Sequence, residues 1–131
     1  MNQTETRPDY IPKGWHSVTP RIVVHGARQL VEFVKQVFAA TGDYHPDLPT
    51  VLRIGDSVLM ISDAGIRAPS PAFLYVYVKN TDETYARALQ AGARSLEAPS
   101  LMPYGDRRGM VEDGWGNTWQ IATYRGEPPT A

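Results

Sequence analysis

The polar chemistry of this chain is concentrated between Gly105 and Tyr124, GDRRGMVEDGWGNTWQIATY, which holds four glycines, two tryptophans, three acids and two arginines. Such a stretch can do chemistry, hold a ligand or turn a corner. Asp106, Glu112 and Asp113 here, and Asp56 earlier, lie in or beside expected hairpin turns, where carboxylates most often accept backbone N–H groups rather than act as general acids or bases. The three histidines, His16, His25 and His45, have no second His or Glu at the spacing that would place two metal ligands side by side. His45 alone has acids around it, in DYHPD. Neither Ser17 nor Ser57 stands in a G-x-S-x-G elbow, and neither glycine-rich segment has the pattern of a phosphate loop or a helix after it.

Composition narrows the classes further. The chain has 131 residues, 42% of them hydrophobic, enough for one domain with a sizeable core. A net charge of −1 with interspersed signs gives no footprint for nucleic acid or an anionic membrane. With no cysteine there are no disulfides, thiolate metal sites or cysteine nucleophiles. No apolar run resembles a signal peptide or a membrane span, so a cytoplasmic location is expected. Residues 1–14 and 126–131 lack hydrophobic periodicity and are expected to be flexible.

The elements that must position these side chains follow from periodicity. SVTPRIVV, Ser17 to Val24, ends as a β-branched strand with Pro20 at an edge or bulge. Ala27 to Ala40 is an amphipathic helix, with Leu30, Val31, Val34, Val37 and Phe38 on one face. A weak strand and a hairpin turning at Gly55-Asp56 follow. After a linker, Ala72 to Val78 is the strongest strand, and Thr81 is placed to cap a helix over Asp82 to Ala91, with Tyr85, Ala86 and Leu89 inward. ARSLEA forms a short strand, and the loop SLMPYGD, a candidate lid, leads to strands near Arg108–Glu112 and Thr118–Tyr124.

The second half therefore repeats the first: strand, helix, weak strand, hairpin, with a period of roughly 55 residues carried by the order of elements. One such unit leaves a sheet face exposed, and two together can build a core or a shared concavity. We read unit one as residues 15–63 and unit two as residues 71–125 of a single domain.

This repeat, with HSVTPRIVV, RIGDSVLMISD and YGDRRGMVEDGWGNTWQIATY, resembles the glyoxalase, bleomycin-resistance and dioxygenase superfamily, also called vicinal oxygen chelate proteins. The resemblance covers roughly His16 to Tyr124 and is nearest to the short bacterial single-domain branch, whose D-P-F-G turn stands here as Asp113-Gly114-Trp115-Gly116. It implies an α+β fold in which two βαβββ units form curled mixed sheets around a concave pocket. Metal-dependent members place one His or Glu in each of four strands. By register those positions fall near Thr19, Met60, Phe73 and Gln120, and neither these residues nor their neighbours supply imidazole, carboxylate or thiolate.

With no metal or other cofactor expected, the same positions read as a ligand pocket. Residues two apart share a strand face, so Arg21, Tyr75 and Tyr77 join the concavity. The expected ligand contacts are Thr19, Arg21, Met60, Phe73, Tyr75 and Gln120, with Tyr104 from the lid. Apolar walls, aromatic rings and a few polar groups are the composition of an organic-ligand site. The resemblance thus implies metal-independent binding of a small aromatic or amphipathic molecule, as in sequestering antibiotic-resistance members. Arg21, with no evident inward carboxylate, favours a planar neutral or anionic ligand over a cationic one. A lyase, isomerase or dioxygenase of the same fold, metal-dependent or metal-free, is the alternative, as is an interaction module without a small ligand. Whether the chain is an enzyme stays open at this point. The resemblance also implies a homodimer, in which the pocket lies within one chain or between two.

Overall fold

The structure is a computed structural model that describes residues 8–126, so of the ends expected to be flexible, 1–14 and 126–131, residues 1–7 and 127–131 lie outside the described residues. Unit one runs β1 (Arg21–Val24), α1 (Ala27–Phe38), β2 (Thr50–Ile54) and β3 (Ser57–Asp63). Unit two runs β4 (Phe73–Tyr77), α2 (Thr81–Gln90), β5 (Arg94–Leu101), β6 (Arg107–Glu112) and β7 (Thr118–Thr123). The sheets have the orders β1-β3-β2 and β4-β7-β6-β5, with β1 parallel to β3 and β4 parallel to β7. The fold is the expected α+β architecture of two curled mixed sheets and two helices.

Unit one departs from the repeat at its weak strand, which shrinks to a single bridge. Thr41 and Arg53 exchange both backbone hydrogen bonds, at 3.0 and 2.9 Å, and the pairing ends there. Gly42 follows at φ 130°, and a Cβ on it would meet the carbonyl oxygen of Val51 at 2.4 Å, so only glycine lets the chain pass this close. Unit two keeps the corresponding strand as β5, longer than ARSLEA because it runs on through Pro99 to Leu101. It is an edge strand, where a residue without N–H does least harm. Ser100 and Leu101 thus belong to a strand rather than to the lid loop.

Helix α1 has its apolar stripe where the periodicity places it, burying Leu30, Val31, Val34, Val37 and Phe38. At α2 the cap is Asn80, whose side chain accepts the N–H of Glu83 at 3.1 Å, while Thr81 is the first helical residue and gives its hydroxyl to the carbonyl of Arg107. The buried face of α2 is Thr81, Thr84 and Ala88, with Tyr85 partly covered; Leu89 is exposed. The core is continuous through both units, from Ile22 and Ile61 to Val111, Trp119 and Ile121. The units meet through the helices. Phe38 packs on Trp119 with ring centroids 5.0 Å apart, Phe33 meets Trp115 edge-on at 6.1 Å, and Arg87 donates to the carbonyl of Val37.

Asp113 organises that junction. Its carboxylate, 5% exposed, takes the N–H groups of Trp115 and Asn117, the side-chain amide of Asn117 and the indole N–H of Trp119, all at 2.8 to 3.0 Å. Asn117 in turn accepts the N–H of Ala72, which leads into β4. The loop Asp113–Asn117 is a turn, as expected, in which Gly116 takes positive φ (89°) while Gly114 and Asn117 do not. Replacing Asp113 by Ala strands four donors, two of them fully buried side chains. Urea unfolding of Asp113→Ala should show a loss of about 3 kcal/mol or more. Asp56→Ala, at the exposed first hairpin turn, should stay within about 0.5 kcal/mol of the parent.

Candidate functional site

Each sheet gives one face to the helices and leaves the other without a helix over it, partly covered by loops at Val23, Val58, Ser62 and Ala122. Strand alternation decides which residues those are. On the first sheet Arg21 stands opposite Met60, and Met60 opposite Val51, so these three share the free face with Val23, Val58 and Ser62. Arg21 is exposed, and its Nε donates to the buried hydroxyl of Ser62 at 2.9 Å. On the second sheet Phe73 pairs with Thr118, Tyr75 with Gln120 and Tyr77 with Ala122, and Met110 and Arg108 of β6 continue the same face. Phe73 and Tyr77, the first and last residues of the edge strand β4, are 67% and 60% exposed. Thr19 lies outside the strand, because β1 begins only after Pro20, whose carbonyl accepts the N–H of Met60.

The structure therefore brings the expected contacts together in two groups: Arg21 with Met60 on one sheet, and Phe73, Tyr75, Gln120 and Tyr104 on or beside the other. Packing between the sheets runs through α1, α2 and the two tryptophans. A crevice of about 400 Å³ opens where β4 faces the β2–β3 hairpin and residues 16–20, with Leu59, Leu74 and Trp119 among its walls. Of the expected contacts it includes Tyr75 alone.

The densest polar cluster of the second face is one that strand patterning misses. Asp106, 4% exposed, accepts the hydroxyls of Tyr75 at 2.7 Å and Tyr77 at 2.8 Å on the same oxygen, Oδ2. The Tyr75 and Tyr77 rings pack against each other at 5.3 Å, and the hydroxyl of Tyr104 lies 3.0 Å from that of Tyr75. The loop that carries Tyr104 is a tight turn rather than a free lid: Met102 N–H donates to the carbonyl of Asp106 and Gly105 N–H to that of Met102. Beside the cluster, Arg108 pairs with Glu97, and its buried Nε has no hydrogen-bond partner among the described residues. A signal for Asp106 was present in the sequence: an acid just beyond Tyr104 faces a strand that offers tyrosines at i and i+2.

Burial, together with the hydrogen bonds to Tyr104 and Asp106, pushes the Tyr75 hydroxyl well above the ordinary phenol value. The hydrogen bond to Asp106 leads the upward shift of Tyr77. Tyr44 is raised as well, chiefly by its hydrogen bond to Asp63. The other acids of the opening stretch are engaged locally, Glu112 with Arg94 and Asp113 as described. His45 is engaged by the backbone of its own loop, its Nδ1 accepting the N–H of Asp47. Among the described residues no group of three or more His, Asp or Glu side chains could hold a metal ion, and Met60, Phe73 and Gln120 offer one neutral amide between them. No helix among these residues is long and apolar enough to cross a membrane.

Two helix-backed, curled mixed sheets built from repeated units define the class. The family model of the Glyoxalase/Bleomycin resistance protein/Dioxygenase superfamily matches residues 5–121, and the chain belongs to that superfamily. An uncharacterized protein of Mycobacterium bovis is 27% identical over 123 residues, covering 80% of this chain and 81% of the relative. Among solved structures, TioX from Micromonospora sp. ML1 shares the fold at TM-score 0.69 and 18% identity, covering 83% of this chain and 98% of that one. A glyoxalase/bleomycin resistance protein/dioxygenase family enzyme from Burkholderia phytofirmans PsJN also reaches 0.69, at 19% identity, over 80% of this chain and 95% of that one.

The raised phenols carry a pH consequence. A folded-state value above the unfolded one means that the network contributes fully below about pH 10 and is lost as pH rises through the folded value. Alkaline titration followed at 295 nm should show a tyrosine component delayed beyond the ordinary phenol value. Tyr75→Phe should remove the latest part of that component, and an unchanged profile would contradict the geometry given for Asp106.

Proposed function

We propose that this protein binds a small aromatic or amphipathic organic molecule without a metal, in a pocket whose main wall is the free face of the second sheet. One observation carries the reading: Phe73, Tyr75 and Tyr77 stand side by side on β4 with their rings exposed, on a strand whose opposite face, Leu74 and Val76, packs against the core. Rings left in water on a rigid sheet form an apolar platform, and Gln120, Tyr104 and the Asp106 cluster supply the sparse polar groups that orient a ligand.

Arg21 and Met60 reach such a ligand if a second copy lays its first sheet across this chain's second sheet, so we propose a homodimer with the pocket between chains. Character supports the match: one face carries Arg21 and Arg53, the other Asp106 behind its phenols. Thr19, outside the strand, is the most peripheral of the proposed contacts. The biological role that follows is sequestration of the bound compound, in the cytoplasm. A metal-dependent reaction does not fit the side chains at the corresponding positions, and no catalytic step is derived for them.

Thermal unfolding in the presence of a library of aromatic metabolites and antibiotics tests the site. A ligand at one hundred times its Kd adds about 2.7 kcal/mol, which corresponds to a rise of several degrees in Tm. Phe73→Ala with Tyr75→Ala should abolish that rise. Light scattering should give twice the chain mass of 14.5 kDa. A library that leaves Tm unmoved, with no compound released from native protein in mass spectrometry, would sink the binding reading, and a monomeric mass would sink the shared pocket.

A further inference from the structure

We propose that the cluster of Tyr104, Tyr75, Tyr77 and Asp106 selects the ligand's charge, and that the bound molecule is an aromatic or amphipathic cation engaged through its ammonium or other N–H-rich end. This rests on the binding reading above and names the chemical class that the site takes. Counting protons settles the direction of every hydrogen bond in the cluster. Tyr75 has one hydroxyl proton, and it goes to Asp106 Oδ2, as does that of Tyr77. The 3.0 Å contact between Tyr104 and Tyr75 is therefore made with the proton of Tyr104. All three protons point inward along a chain that ends on one carboxylate.

What remains for a ligand is the complement of that arrangement. The phenol oxygens keep lone pairs and have no proton left to give, so the cluster accepts hydrogen bonds and donates none. Behind them lies an almost fully buried carboxylate, and beside them stand the faces of Phe73, Tyr75 and Tyr77, whose π-clouds attract cations. The upward shifts of Tyr75 and Tyr77 keep both phenols protonated at neutral pH, so this pattern is constant there. Nearby positive charge is already engaged: Arg108 pairs with Glu97, Arg94 with Glu112, and Arg107 with Asp82. Arg21 of the same chain is on the other sheet, hydrogen bonded to Ser62, and in the proposed dimer its counterpart from the second copy stands on the opposite wall, away from the phenols. The neutral or anionic ligand expected from Arg21 alone is thus revised, because that expectation lacked the inward carboxylate that Asp106 supplies.

The test uses three probes with one ring and different charge, namely benzylammonium, benzyl alcohol and benzoate, titrated into the full chain at neutral pH and followed by amide NMR shifts. Benzylammonium should move the signals of Tyr75, Tyr77, Tyr104 and Asp106 and bind roughly tenfold more tightly than benzyl alcohol, with benzoate weakest. Asp106→Asn should erase the preference, so that the variant binds benzylammonium no more tightly than it binds benzyl alcohol. Tyr104→Phe, at an exposed position that keeps its ring, should weaken benzylammonium by roughly tenfold, about the lower end of what one hydrogen bond to a charged group contributes, and decides the matter if Asp106→Asn does not fold. Equal binding of the cation and the alcohol, or tightest binding of benzoate, would overturn charge selection while the aromatic site itself stood. Silence from all three probes would overturn both.

Discussion

A buried carboxylate must be surrounded by donors, and the donors that Asp113 gathers tie together parts of the chain far apart in sequence. The hairpin turn between β6 and β7 is closed by its backbone bonds. Trp119 is oriented by its indole N–H and thereby offered to Phe38 of the first unit. Asn117, held by the same carboxylate, accepts from Ala72 and so sets where β4 begins. One side chain thus fixes the second hairpin, the aromatic junction between the units and the start of the strand that carries Phe73, Tyr75 and Tyr77.

That junction also decides which surfaces remain free. Because the helices and the two tryptophans take up one side of each sheet, the other sides have no partner among the elements of the same unit. Their residues remain polar enough for water at Arg21 and Gln120, and aromatic at β4. Asp106 and Asp113, seven residues apart, illustrate the division. Asp113 spends its lone pairs on donors inside the fold. Asp106 draws its donors from the free face, where they form the outer surface of that face.

Much of this was legible from residue types alone. A period of two places Tyr75 beside Gln120, and Arg21 beside Met60, once the strands are recognised, and a Gly-first pair marks the turn at Gly55-Asp56. The helix of unit one announces itself by a clean apolar stripe. What stayed hidden depended on tertiary context. Pro20 delays β1 and leaves Thr19 off the strand. Asn80 and Thr81 are both able caps, and the choice falls to Asn80 because Thr81 is drawn to the carbonyl of Arg107, an oxygen 26 residues away in the chain. The weak strand of unit one is cut to a single bridge where Gly42 passes against Val51. The role of Asp106 depends on a turn that folds it under β4, and local patterning assigns such an acid to its own hairpin.

The charges of the free faces follow from the same logic. A metal-holding relative concentrates anionic or imidazole ligands in its concavity and neutralises them with the ion. Met60, Phe73 and Gln120 remove those ligands, so the electrostatics pass to groups held farther back. On the second sheet the uncompensated charge is a carboxylate screened by two phenols, while Glu97 and Glu112 are matched by Arg108 and Arg94. On the first sheet Arg21 is hydrogen bonded to a neutral hydroxyl rather than to a carboxylate. In the proposed pairing of copies these two faces would enclose a cavity negative on one wall and positive on the other. A ligand lying between them is then oriented by its own dipole as much as by its shape, its cationic end on the tyrosines and any acceptor group toward Arg21.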